Sequence, residues 1–240
     1  MADMIGPQSR EELLEKLKEG QNPPLVAIYC SDSRVDINLL GANPGEVFAI
    51  ENAGNVFGLG DESKSSLAYA LTHFSVDGKL AILVLGHTKC GAVTTACKLF
   101  SNGGKLDGVH PSIAGLMRYI FPSVERASTV SGDLVENAII ENTKAQMAHV
   151  RDFVVSTTGV KAGNVDVYGA IYEISAHDDI LPAAWHLNAI SKGIANQNTR
   201  IEEIKLSRVD GSYMRDLLNK MGLENFISMR QLPRLGPSHR

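Results

Sequence analysis

Short apolar runs of strand length, alternating with segments of helical spacing, constrain this chain more than any other feature. Leu25–Cys30, Val47–Ile50 and Leu80–Leu85 are unbroken, and Val165–Ile174 is interrupted only by Asp166, Gly169 and Glu173. Unbroken apolarity over so short a span marks a strand covered on both faces, as in a parallel sheet. Between the runs, Asp61–Phe74 reads as a helix with Leu67, Tyr69, Ala70, Leu71 and Phe74 inward. Cys90–Phe100, Ile113–Ile120 and Leu134–Val154 carry the same periodicity, as does Glu202–Leu223, expected to pack outside the sheet. Glu11–Lys18 forms a short helix closed by Gly20-Gln21-Asn22-Pro23-Pro24. The alternation predicts an α/β protein with a largely parallel sheet, and such sheets collect functional groups at the carboxyl ends of their strands.

A chain of 240 residues, 44% apolar and 21% charged, can bury a continuous core. Lacking repeats and Pro- or Ser-rich linkers, it reads as one domain over 1–240, with an N-terminal helical arm over 1–24 and a basic tail over 225–240. In that tail Arg230, Arg234 and Arg240 follow the last acid, Glu224. A formal net charge of −4 does not provide the basic footprint that a phosphate backbone requires, so nucleic acid is not an expected partner. No apolar run approaches the ~18 residues of a membrane span. The first ten residues carry an acid and no apolar core of a leader, so the cytoplasm is expected, ahead of the mitochondrion. Three cysteines, Cys30, Cys90 and Cys97, do not make a disulfide framework; in a reducing compartment they stay free as ligands or nucleophiles.

Two strand ends carry the chemistry. The first run leads into Cys30-Ser31-Asp32-Ser33-Arg34, and the third into Gly86-His87-Thr88-Lys89-Cys90-Gly91. If those strands are neighbours, Cys30, His87 and Cys90 meet at one crevice, and two thiolates with one imidazole suit a catalytic zinc that keeps a fourth position open. Cys90 at a helix start would gain from the positive end of the helix dipole. The spacing alone also allows two small buried cysteines, or a redox pair, beside a core histidine. Asp32 is near enough to Cys30 to reach the ion or its water, and Arg34 can hold that carboxylate with a bidentate pair. Cys97, two turns beyond Cys90, reads as a core cysteine. The other histidines have no paired spacing and suit surface or capping roles.

Cys30-Ser31-Asp32-Ser33-Arg34, then Asn52-Ala53-Gly54-Asn55, then Gly86-His87-x-x-Cys90-Gly91, in this order, resembles the β-class carbonic anhydrases over about Gln21–Ile174. The resemblance implies a mainly parallel sheet of about four core strands flanked by helices, in an obligate dimer or dimer of dimers with sites at the subunit boundary. It implies one Zn2+ per subunit on Cys30, His87 and Cys90, with Asp32 and Arg34 as a catalytic dyad. In a closed resting state, Asp32 leaves Arg34 and becomes the fourth ligand. By position, Gln21, Phe48 and Tyr69 match substrate-pocket residues, partly donated across the dimer, and Gly91 opens a helix beside the ion.

The activity implied is reversible hydration of CO2 to bicarbonate and a proton by zinc-bound hydroxide. Because two thiolates cancel the charge of the ion, the water is expected to be less acidic than on three imidazoles, and activity to rise toward alkaline pH. Hydrolysis of a CO2 analogue, carbon disulfide or carbonyl sulfide, is the enzymatic alternative, and a weakly active bicarbonate-binding protein is the other. Two positions depart from the family pattern: Glu51 stands where many members carry Arg, and His177 lies where a glycine is usual.

Overall fold

The computed structural model describes residues 15, 17–35, 44–172, 174, 190–194 and 202–204. The apolar runs become adjacent strands: β1 (Leu25–Cys30), β2 (Val47–Asn52), β3 (Lys79–His87) and β4 (Asn164–Tyr172). β1 and β4 are buried along nearly their whole length, and β3 is buried beyond Lys79, which is the two-sided cover that unbroken apolarity predicts. β2 is more exposed, as befits the edge. The four strands are parallel, and β5 (Ile190–Ile194) and β6 (Glu202–Ile204) extend the sheet antiparallel, giving the order β2-β1-β3-β4-β5-β6.

Among the described residues, four α-helices lie between the parallel strands in chain order: α1 (Asp61–His73), α2 (Gly91–Ser101), α3 (Pro111–Ala127) and α4 (Leu134–Ser156). Val26, Ile28, Ile82, Val84 and Val167 meet Leu67 and Leu71 of α1 and Met147, Val150 and Val154 of α4 in one apolar cluster. A second cluster joins Cys30 and Cys90 to Val93 and Cys97 of α2, Met117, Ile120 and Val124 of α3, and Ile139 of α4. Cys97 is thus a core residue, as its spacing predicts, and burial pushes its thiol up to about 11. Helix α4 lies close on the sheet because two strand positions carry no side chain. A Cβ on Gly86 would collide with Thr143, and one on Gly169 with Met147.

The structure differs from the sequence reading at three points. The helix expected over Ile113–Ile120 runs on through Pro122 to Ala127, because Met117, Ile120, Val124 and Ala127 keep one apolar face buried across the proline. The helix expected from Glu202 does not begin there: residues 202–204 form a strand, whose backbone groups pair with β5 from Ile190↔Ile204 to Lys192↔Glu202. Pairing across the sheet overrides the helical preference of glutamate. Tyr69, expected inward, is 46% exposed, with its ring over His73 and Phe48.

The basic tail and His177 lie outside the described residues. Among the described residues no helix is long and apolar enough to cross a membrane.

Candidate metal centre

β1 and β3 are the central pair of the four parallel strands, and the chain leaves β1 for β2 on one side and β3 for β4 on the other. The connections therefore diverge at the carboxyl ends of β1 and β3, the crevice where open α/β sheets bind ligands. Cys30 ends β1, His87 ends β3, and Cys90 sits immediately before the first residue of α2. Their ligand atoms all lie within 4.8 Å of one another, and all three residues are buried. The sequence motifs are 57 positions apart, and parallel pairing from Leu25↔Ala81 to Tyr29↔Leu85 brings them together.

The donor set fits a zinc ion. His87 Nδ1 faces the Thr88 carbonyl oxygen at 2.9 Å. That oxygen can only accept, so Nδ1 carries the proton and Nε2 is left as a bare lone pair. Nε2 is buried and has no hydrogen-bond partner, a costly arrangement for a polar atom unless a cation takes it. The two thiols are also tuned against each other. Cys30 is driven toward thiolate, chiefly by the hydrogen bond with the Cys90 thiol, with the Gly54 amide adding to the effect and burial opposing it. Cys90 is driven the other way by the same bond, by burial and by the neighbouring charge, although the amides of Ala92 and Val93 at the start of α2 favour its anion. A divalent cation relieves this conflict, since it can hold both sulfurs as thiolates.

Asp32 and Arg34 flank the cluster. Arg34 Nε donates to Asp32 Oδ1 at 2.8 Å and Nη2 to Oδ2 at 2.7 Å, while the Arg34 amide adds a bond to Oδ1 at 3.1 Å. With this guanidinium against it, the Asp32 carboxyl is held down at about 2. Asp32 Oδ2 lies 3.9 Å from His87 Nε2, so the carboxylate faces the ligand cluster while both its oxygens are engaged by Arg34. Arg34 Nη2 also reaches the Lys89 carbonyl at 3.2 Å, tying the first motif to the second across the crevice. Lys89 itself is in the left-handed region, at φ 57°.

The remaining sequence candidates fall into two places. Gly91 is exposed at the start of α2, and a Cβ there would meet nothing within 4 Å, so the chain leaves open space beside Cys90. Gln21, Phe48 and Tyr69 lie elsewhere. Gln21 is exposed on the segment leading into β1, and Phe48 is level with Val26, near the amino end of β1. Phe48 stacks on Tyr69 with ring centres 6.1 Å apart and meets Phe74 edge-on at 5.3 Å. Glu51, the charge that departs from the family pattern, is opposite Tyr29 in the β1–β2 register and accepts a hydrogen bond from its hydroxyl.

Sequence reasoning did not assign roles to the residues that shape the floor of the site. The Gly54 amide donates to Cys30 Sγ at 3.3 Å, from a turn in which Gly54 takes φ 74°. That turn is held from α4 by two fully buried amides, Asn142 and Gln146. Two polar residues one turn apart on an otherwise apolar helix face were the available signal.

Residues 25–178 match the carbonic anhydrase family model. The chain belongs to this family. It is 32% identical over 184 residues to a carbonic anhydrase of Synechocystis, covering 72% of this chain and 66% of that protein. It is 31% identical to a carbonic anhydrase of Pseudomonas aeruginosa, covering 70% of this chain and 77% of that protein. Among solved structures it resembles the β-carbonic anhydrase CcaA, with a TM-score of 0.55 at 31% identity over 69% of this chain and 82% of that one. It also shares the fold of β-carbonic anhydrases from the ascomycete Sordaria macrospora, described as tetrameric, with a TM-score of 0.53 at 21% identity over 69% and 83% of the two chains. The matched region spans just under two thirds of the two cyanobacterial relatives' length, 66% and 63%. Membership is of the β class, and the Cys30–His87–Cys90 cluster fits the zinc site of a β-carbonic anhydrase.

Proposed function

We propose that this chain catalyses the reversible hydration of CO2 to bicarbonate and a proton at a zinc centre held by Cys30, His87 and Cys90. The observation that carries the reading is the buried Cys-His-Cys cluster, with its orphaned imidazole nitrogen, at the sheet crevice of a carbonic anhydrase family chain. Bound there, zinc supplies a Lewis acid that makes water a nucleophile near neutral pH.

The protein supplies orientation. Held at about 2, Asp32 is ionised throughout the working range, so it acts only as an acceptor. It takes a hydrogen bond from the O–H of the attacking oxygen and thereby turns a lone pair toward the carbon of CO2. Arg34 keeps the carboxylate on that task by occupying both its oxygens. Were Arg34 to let go, Asp32 would be free to become the fourth ligand, and the site would close. Gly91, next to Cys90, adds no side chain that would crowd a small substrate.

The working unit is a homodimer or a homotetramer. Phe48 stands four residues of strand from the level of Cys30, a separation of roughly 13 Å at about 3.3 Å per residue, and Gln21 lies farther toward the amino end. These residues therefore serve the metal centre of a second copy. A reducing compartment, the cytoplasm first, suits two neighbouring thiols that must stay unoxidised to hold metal.

Stopped-flow CO2 hydration by zinc-loaded protein, from about pH 6.5 to 9, tests the reading. Turnover that requires zinc and rises with pH is expected. Fully zinc-bound protein with no turnover across that range would overturn it in favour of a CO2-analogue hydrolase or a bicarbonate-binding role.

A further inference from the structure

We propose that Asn142 is a positioning residue for the metal ligand Cys30, acting through the turn that carries Gly54. The inference rests on the zinc reading above and adds a part of the chain that none of the three motifs contains.

The Gly54 amide is the backbone donor to Cys30 Sγ, and its direction depends on how the 53–57 segment is fixed. Asn142 Nδ2 donates to the Gly54 carbonyl at 2.9 Å. One helical turn on, Gln146 Oε1 accepts from the Phe57 amide at 2.8 Å. The two side chains are joined to each other, Gln146 Nε2 donating to Asn142 Oδ1 at 3.1 Å. The direction of this chain is forced. Gln146 must turn its oxygen to the Phe57 N–H, which leaves its nitrogen for Asn142 Oδ1 and the Asn142 nitrogen for the Gly54 carbonyl. Both amides are 0% exposed, so water offers no substitute partner. The outer end is braced as well. His149 Nδ1 lies 3.3 Å from Gln146 Oε1 and 2.9 Å from the Tyr119 hydroxyl, which donates to the Phe57 carbonyl at 2.6 Å.

The segment is therefore clamped at both ends by one helix, and the clamp sets where the Gly54 N–H points. Partners that orient metal ligands from behind typically change metal affinity by about 10- to 100-fold when removed. Asn142→Leu is the sharp test. It keeps the approximate size of the side chain and adds no charge but cannot donate to the Gly54 carbonyl, so a space-filling role predicts no change. Zinc affinity is read by chelator competition, and the thiolate-to-cobalt charge-transfer band is read on cobalt-loaded protein. Because Asn142 acts one hydrogen bond behind such a partner, Asn142→Leu and Asn142→Ala are each expected to weaken zinc by several-fold up to about tenfold and to shift the band. Val154→Ala, two turns beyond Gln146 on the same helix and packed in the apolar cluster with Met147 and Val150, is expected to leave both unchanged.

Wild-type-like zinc affinity, within about twofold, and an unmoved band in both Asn142 variants would overturn the proposal. So would an equal loss in Val154→Ala, which would mean that any disturbance of the helix suffices. If the Asn142 variants do not fold, Gln146→Leu replaces them. It removes the acceptor for Phe57 and the donor to Asn142 without adding a charge, and a several-fold weakening is expected against no change. A wild-type protein that takes up neither zinc nor cobalt would remove the zinc reading itself, a result distinct from any of these.

Discussion

The two ends of the parallel sheet are built in opposite ways. At the carboxyl end, Cys30, His87 and Cys90 are buried and close together, and Asp32, Arg34 and Lys89 close over them with hydrogen bonds made within one chain. At the amino end, Gln21 and Tyr69 are exposed, and Phe48 is only partly covered by Tyr69 and Phe74. The first end is complete as a ligand cage. Among the described residues, the second end holds no such cluster of ligand atoms. On the function proposed above, metal capture would belong to the single chain and substrate handling to the assembly.

The strongest way to break this division is at the metal. Cys90→Ser should lower zinc from one per chain to near background by elemental analysis, with CO2 hydration falling on the order of a thousandfold. Retention of stoichiometric zinc would show that the carboxyl end is not the cage described. Asp32→Ala should keep its zinc and lose about 100- to 1,000-fold in kcat/KM, because only orientation of the attacking oxygen is removed. A fully active variant would take the dyad out of the mechanism.

The amino end is best sharpened by mixing. Phe48→Ala/Tyr69→Ala should retain zinc and lose about tenfold in rate. Co-expressed in equal amounts with Asp32→Ala, it should recover about a quarter of wild-type activity, since half the dimers are hybrids and each hybrid holds one intact site. Activity no greater than the average of the two parents would place the aromatic residues outside the neighbour's site.

The smallest effect concerns the outer brace of the helix. Burial holds the pKa of His149 below its ordinary value, with Asp152 opposing that shift and Arg126 reinforcing it, and with Tyr119 and Gln146 as its uncharged neighbours. The folded state thus prefers the neutral ring. Its contribution to stability is complete above the unfolded value near 6.5 and declines as pH falls below it. Denaturation midpoints at about pH 7.5 and 5.5 should fall less in His149→Gln than in the wild type. Equal declines in the two proteins would refute this assignment.

What could be read in the sequence follows the range of the interactions involved. The parallel strands were legible because burial on both faces leaves a local mark, and the three ligands were legible because each motif is only a few residues long. Once parallel order is assumed, neighbouring strands bring such motifs together without further information. Pro122 lies two residues beyond Ile120, where the shorter helix was expected to end, yet the apolar face beyond it carries the helix onward. Residues 202–204 were misread because a strand of three residues owes its state to its neighbour β5 rather than to its own composition. The Asn142 contact was hidden for a similar reason: it joins positions 88 residues apart, and nothing near either position announces the other.

The missing side chains at Gly86 and Gly169 have a consequence for how this protein can vary. Both notches lie beneath the helix that reaches over to the Gly54 turn, with Thr143 seated in one and Met147 in the other, next in sequence to Asn142 and Gln146. A methyl group added at Gly86 would meet the Thr143 hydroxyl and one at Gly169 the Met147 sulfur, and to the extent that these side chains cannot turn aside the helix is pushed outward and its amides drawn from the turn. Substitutions that look like ordinary core changes, on strands that touch no substrate, would then register as altered metal retention, so the tolerance of the hydrophobic interior is limited by the chemistry at its edge.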